Sequence, residues 1–397
     1  MRRGAWHQFG DKSQKLAQEQ LMQGAGVGVI ISMRDIPKSK AIEYTQNYHK
    51  QCADVLIDPQ FYNPDFSNRQ LSTYAIEQYR LTISKLAQVT DQELAGLASE
   101  LKSIHIDLAA DGLIAPAVPY EAARPDIVQL NKRLFTMAKE VGCDLNIPTY
   151  ATVILGKSIT SSNQTVDSIL SQATGLDCEG WYYGFEFGQE RIPSSYESVL
   201  RCCTAGLTLA CTGKPVLHAY AGPMALLSLG FGATGTGIGH SQVLWQFTRK
   251  RWERSAKQGG SGDAPPRFFS RNLWGTIVYP DEVVRLTPDL QNQVLIQSPF
   301  STPTESSLHW SRWDANKHFV HAICSAVTEI AENNNARASA QAAISILEDA
   351  IELHRKIGQQ GLNLRDGSNA YQEPWRDAMK SLLNNNAGDF DYLELLE

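Results

Sequence analysis

Four stretches of the sequence carry side chains able to do chemistry. The first is Asp58-Pro59-Gln60-Phe61-Tyr62, directly after the apolar run Asp54–Ile57. Burial beside apolar side chains raises a carboxyl pKa and suits it to proton transfer near neutral pH. An aromatic ring a few residues on, Phe61 or Tyr62, can lie against a planar ligand. The bland alternative is that Asp58 caps a loop or a helix start. The second stretch is Trp181 to Gly188 (WYYGFEFG). Glu186 is costly to bury without a partner or a ligand. Glycines at the end of the stretch, Gly184 and Gly188, let a ligand approach the backbone closely. Aromatic core packing explains the rings of this stretch equally well. The third is His218-Ala219-Tyr220-Ala221-Gly222-Pro223, where His218 is either a proton donor or a hydrogen-bonded structural residue. The fourth is Thr234 to Ser241 (TGTGIGHS), with Thr236, Gly237 and His240. Small residues after a strand expose backbone N–H groups that can hold an anion or a carbonyl. A glycine-rich corner with no ligand is the competing reading.

These residues follow short apolar runs, and amphipathic segments lie between the runs. Gly28–Met33, Asp54–Ile57, Leu113–Val118, Leu145–Ile147, Trp181–Phe187, Val216–Tyr220 and Thr234–Ile238 read as strands buried on both faces. Glu77–Leu86 and Asp126–Val141 read as helices. The alternation predicts a parallel α/β fold, and its number of units favours a closed (β/α)8 TIM-type barrel over an open sheet. Gly24, Gly26 and Gly28 precede the run at Gly28 rather than follow it, so no dinucleotide fingerprint is present. The predicted partition is a barrel over 1–255, a loop and short-strand insertion over 256–314, and a mainly helical C-terminal appendage over 315–397. In the insertion, Gly259–Pro266 reads as a loop, and Gly275–Tyr279 and Gln293–Ile296 as strand-like. Helices are expected over Ala315–Ile357, interrupted at Asn333–Asn335, and over Glu373–Asn384.

The chain has 397 residues, 43% hydrophobic and 20% charged, with net charge −6. That length can bury a large core, and that charge implies no general electrostatic grip on nucleic acid. The basic cluster Arg249, Lys250, Arg251, Arg254 and Lys257 is a local exception that could meet phosphates or form a solvated helix face. No apolar run is long enough to span a bilayer, and the polar start lacks a secretory core, so a cytoplasmic protein without membrane contact is expected. Seven cysteines without paired spacing read as reduced, buried small hydrophobes rather than metal ligands. Neither a metal nor a cofactor is expected.

Taken in order, the motifs resemble the tRNA-guanine transglycosylase family over roughly residues 25–250. Pro215–Ala233 (PVLHAYAGPMALLSLGFGA) is similar to that family's strand, Gly-Pro turn, leucine-rich helix and following strand. Gly184 to Gln189 resembles its glycine-rich pocket strand. Asp58 and Tyr62 fall where the family has an Asp and an aromatic, and Val118-Pro119-Tyr120 resembles its Thr-Pro-Tyr turn. The resemblance implies exchange of guanine for a 7-deazaguanine, which is pentosyltransferase (glycosyltransferase) chemistry. It implies Asp58 as general acid/base; the residues at the successive strand ends add Glu186 or His218 as candidates to assist it. Tyr62 would stack on the base, Gly184 and Phe185 would line its pocket, and His218 would form the floor. Gln60, Tyr220, Gly222, Thr236, Gly237 and His240 would complete the binding surface.

The sequence also departs from that family. Its nucleophile belongs near Gly237, where no carboxylate stands, and its base-recognising Asp falls near Ala115. Its Cys/His zinc subdomain is replaced by the insertion. Without a nucleophile, a covalent glycosyl intermediate cannot form in the usual way. The expectation is a transglycosylase-like protein that binds or acts on a guanine or 7-deazaguanine base or its conjugate. Divergent relatives of that kind occur in nucleic-acid modification and antiviral defence clusters. A non-catalytic 7-deazaguanine or nucleic-acid binding module, and a barrel enzyme for a phosphorylated small molecule held at Gly235–Gly239, are the alternatives. The reading leaves room for a nucleic-acid or modified-protein partner and for a homodimer.

Overall fold

The computed structural model describes residues 1–10, 12–63, 70–79, 89–122, 124–188, 192–249, 251, 266–296, 298–300, 310–365 and 369–396. Eight parallel strands run Gly4–Gln8 (β1), Gly28–Ser32 (β2), Asp54–Asp58 (β3), Gly112–Ile114 (β4), Thr149–Leu155 (β5), Gly180–Phe185 (β6), Val216–His218 (β7) and Gly235–Ile238 (β8). Each pairs with its sequence neighbour, and β8 pairs back onto β1 to close the ring. The fold is a (β/α)8 barrel.

The barrel closes around large rings set against glycines. Trp6 on β1 and Tyr150 on β5 fill the N-terminal end of the interior. Gly28, Gly112, Gly180 and Gly235 open the four even-numbered strands that flank them. A Cβ on Gly28 would come 2.5 Å from the Trp6 ring, and one on Gly180 would come 2.7 Å from Tyr150. Bulk on odd strands and none on even ones is the alternate-strand layering of such barrels. Above these rings, Ile30, Leu56, Ile114, Tyr182 and Leu217 continue the filling.

Several elements differ from the sequence expectation. The sequence shows no strand signal at β1, because His7 and Gln8 give it a polar look, yet all five of its residues are buried. The run Leu145–Ile147 is not a strand. The amphipathic helix Asp126–Leu145 extends to it, and Asn146 ends the helix in the left-handed conformation at φ 54°. Pro148 follows, and β5 begins at Thr149. The helix expected at Glu77–Leu86 is a 3-10 turn over Ala75–Tyr79, and residues 80–88 lie outside the described residues. The helix before β4 is Asp91–Leu108, started by a Thr90–Glu93 capping box.

The insertion contains an antiparallel hairpin, Arg267–Ser270 (β9) with Gly275–Val278 (β10). Gln293–Ile296 is not a strand: its first residues end the helix Pro288–Val294. The loop residues 259–265 lie outside the described residues. Helices Arg312–Ala331, Ala336–Gln359, Gln372–Asn385 and Ala387–Leu396 follow. They form the expected helical C-terminal region, and it packs closely on the barrel. Phe319, Ile323, Ala340, Leu347, Trp375 and Leu382 share one hydrophobic core with the barrel's outer face. The helix Arg312–Ala331 packs on β1 and β8 and so occupies the place of the eighth barrel helix, reached through the hairpin. Cysteine burial is mixed: Cys178, Cys202, Cys203 and Cys324 are buried, whereas Cys52 and Cys143 are exposed and Cys211 is half-buried. Among the described residues no helix is long and apolar enough to cross a membrane.

Candidate functional site

β3 delivers Asp58 to the C-terminal mouth of the barrel, on the same strand face as the interior residue Leu56. The carboxylate is fully buried, so its lone pairs need donors. Gln60 N–H and the Tyr62 hydroxyl donate to Oδ1 at 3.0 and 2.8 Å. The Tyr182 and Tyr220 hydroxyls donate to Oδ2 at 2.9 and 3.3 Å. Gln60 places its N–H by adopting φ 56°, and its amide donates to the Tyr220 hydroxyl at 2.9 Å. Burial pushes the Asp58 pKa up to about 6. The bonds from Tyr62, Tyr182 and Gln60, and the nearby positive charge of Arg251, hold it from rising further. A group with that pKa is present in both protonation states near neutral pH.

The segment after β8, residues 241–249 with Arg251 just beyond, crosses the mouth as a strap. Leu244 and Phe247 are buried in the interior cluster. The Phe247 ring meets Tyr62 edge-on at 5.3 Å and Tyr220 at 5.7 Å. Gly222, at φ +49°, lets the strap backbone pass. A Cβ there would lie 2.5 Å from Trp245 Cα. Charged contacts tie the strap down on two sides. The guanidinium of Arg249 pairs with Glu186 at 2.9 Å and also with Glu121. Arg251 is buried, pairs with Asp35 and lies 5.6 Å from the Tyr220 ring. Arg34 donates to the Arg251 carbonyl at 2.7 Å. Of the basic cluster, Arg249 and Arg251 are thus strap anchors, while Lys250, Arg254 and Lys257 lie outside the described residues.

The structure brings Asp58, Gln60, Tyr62 and Tyr220 into one cluster, with Gly237 and Gly222 bordering it. Gly184 faces the interior too, beside Ile154. The other expected site residues point elsewhere. His218 lies on the outer face of β7. It hydrogen-bonds the Ser228 hydroxyl at 2.8 Å and stacks on Tyr183 at 5.5 Å, and burial lowers its pKa to about 3. Thr236 meets the same Ser228 hydroxyl at 3.2 Å. Phe185 packs on Phe187 in the outer core. His240 pairs with Ser13 at 2.9 Å. Glu186 accepts from Lys157 N–H as well as Arg249, so its charge is committed to the strap. Residues the sequence reading did not select are Gln8, Tyr182, Asp35, Leu244 and Phe247. Tyr182 had a legible signal, since it shares strand parity with Gly184. Among the described residues no cluster of His, Cys, Asp and Glu is placed to hold a metal ion.

No family model matches the sequence, and no curated protein matches it. Solved structures similar to it are barrels of varied activity. Thiamine phosphate pyrophosphorylase from Pyrococcus furiosus is 12% identical with TM-score 0.32, over 63% of this chain and 90% of that one. N-acetylneuraminate lyase from Mycoplasma synoviae is 11% identical with TM-score 0.34, over 96% and 97%. An L-ribulose 3-epimerase is 10% identical with TM-score 0.37, over 85% and 99%. Nothing about chemistry follows from similarity at that level.

Proposed function

We propose that this is a transglycosylase-like barrel protein that takes a guanine or 7-deazaguanine base, or a conjugate of one, at the mouth over Asp58. The observation that carries the proposal is the buried Asp58 carboxyl at the end of β3, held by three tyrosine hydroxyls, with its pKa pushed up to about 6 by burial. Such a group donates or accepts a proton at little cost, and the rings of Tyr62 and Tyr220 offer flat surfaces beside it. Gly237 supplies no nucleophile, so the chemistry is acid–base rather than covalent. The setting is nucleic-acid modification or antiviral defence, as for the family the sequence resembles. Because Leu244 and Phe247 occupy the mouth, ligand entry requires displacement of the strap. That closure, together with a carboxylate already fully hydrogen-bonded, favours a second reading in which the site binds the base without turning it over.

Calorimetric titration with guanine and 7-deazaguanine tests both readings. Binding is expected in the wild type, faster or tighter in the strap-loosened Arg249→Ala variant, and weakened about tenfold by Asp58→Asn, the value of one charge-assisted hydrogen bond. Absence of heat at millimolar base in both wild type and Arg249→Ala overturns both readings. Binding without base release from any nucleic acid selects the second.

A further inference from the structure

Gln8, the last residue of β1, stands inside the barrel two strands away from Asp58, which ends β3. It is 1% exposed. Its Oε1 lies 3.1 Å from the Tyr182 hydroxyl, the same hydroxyl that donates to Asp58 at 2.9 Å. Its Nε2 is buried and has no hydrogen-bond partner among the described residues. A primary amide left with one end unpaired in an apolar interior costs about 1–3 kcal/mol. A leucine would fill similar space without that cost. Gly237, across the β1–β8 pair, is what admits the side chain, since a Cβ there would sit 3.0 Å from Gln8 Oε1. The chain thus keeps both a glycine that makes room for an amide and an amide it does not satisfy. The amide is also wired to the Asp58 carboxyl through one tyrosine proton. That proton serves either Asp58 or Gln8 at a given moment. When it points to Asp58, the amide is free to rotate and donate Nε2 to the Tyr182 oxygen, and its carbonyl end becomes the unpaired one.

We infer that Gln8 is a specificity-determining residue of the mouth site, its unpaired amide end reading a hydrogen-bonding edge of the ligand next to the group that Asp58 serves. The ligand class is a planar heterocycle carrying an oxo or ring-nitrogen acceptor beside a donor, because a rotatable amide end can meet either partner. This rests on the mouth site proposed above, and the experiment separates the two. Guanine and 2-aminopurine, which lacks the oxo group, are titrated into wild type and into Gln8→Leu, and thermal midpoints are recorded for both proteins. The expected result is a preference for guanine in the wild type that Gln8→Leu reduces about tenfold, the worth of one buried hydrogen bond. The thermal midpoint of Gln8→Leu stays level or rises, since an unsatisfied amide has been replaced by an apolar side chain. If both purines bind and Gln8→Leu leaves their ratio unchanged, the inference fails while the mouth site stands. A thermal midpoint that falls sharply with an unchanged ratio likewise makes Gln8 a structural residue and overturns it. If neither purine binds the wild type or Arg249→Ala, the mouth site fails and takes this inference with it.

Discussion

Replacing Asp58 by asparagine removes a single ionisable group from a fully buried place, so its consequence can be worked out as a function of pH. The folded carboxyl has a pKa of about 6 against an ordinary value of 3.8. A carboxyl whose pKa rises on folding binds protons more tightly in the native state. Its ionisation therefore costs stability as the pH climbs. The cost is absent well below the unfolded pKa, grows between the two values, and is complete above the folded one. A difference of about 2 pK units corresponds to about 3 kcal/mol when complete. Between about pH 4.5 and about pH 7.5, the part that develops is about 2 kcal/mol. Asp58→Asn is nearly isosteric and does not ionise. It loses some acceptor capacity toward the tyrosines, which sets a pH-independent offset of about 1–3 kcal/mol against the variant. Urea unfolding of both proteins at a series of pH values measures the difference directly, because the remaining carboxylates cancel. The variant should gain about 2 kcal/mol on the wild type across that range. A difference that stays flat, or moves in the opposite direction, would refute the claim that burial outweighs the hydrogen bonds at Asp58. The proposed proton transfer would lose its basis with it.

Two further outcomes follow from the strap and from the barrel floor. Arg249→Ala leaves Glu186, 7% exposed, with the backbone N–H groups of residues 157 and 249 as donors but without its guanidinium partner. The variant should lose about 1–2 kcal/mol, discounted because the Arg249 side chain is one-third exposed. Amide hydrogen exchange should rise at residues 242–247 before it rises in the barrel strands. Unchanged exchange there would mean that Arg249 does not hold the strap. Gly180→Val should be among the most damaging changes in the chain. Its Cβ would meet Tyr150 at 2.7 Å and the Pro215 carbonyl at 2.8 Å, and overpacking of this kind costs about 1–3 kcal/mol or more. A variant with wild-type denaturation would show that the aromatic floor has room for the added side chain.

The barrel was legible because parallel strands buried on both faces leave continuous apolar runs, as at residues 29–31 and 55–57. Strands fail to show where the barrel interior is polar. β1 hides Gln8 among buried residues, and a polar side chain in a fully buried strand has meaning only once its partners, here Tyr182 and Gly237, are known. Asp58 is legible for the opposite reason. A charge closing an apolar run has to be explained locally, and a strand end at the mouth is the place where a barrel accommodates one.

His218 and Glu186 fail to join Asp58 for a reason of parity. On β7, Leu217 and Ala219 belong to the interior cluster, so His218 between them must face the helices, where Ser228 and Tyr183 receive it. On β6, Tyr182 and Gly184 face inward, which puts Tyr183 and Phe185 outside. Glu186 keeps the inward parity of Tyr182 but lies one step beyond the strand. There the parallel bridge to Phe247 sets it against Arg249 rather than against the barrel interior. Strand period alone separates His218 from the site. For Glu186, only the strap's return across the mouth decides, because the residue that claims it, Arg249, lies 63 positions further along the chain. The strap therefore does two things with one set of contacts. It pairs Glu186 and Glu121 with Arg249 and Asp35 with Arg251, and it leaves Asp58 facing the tyrosines. On the proposed reading, a ligand that displaces Phe247 first uncovers the rings of Tyr62 and Tyr220, which Phe247 meets edge-on, with Asp58 behind their hydroxyls.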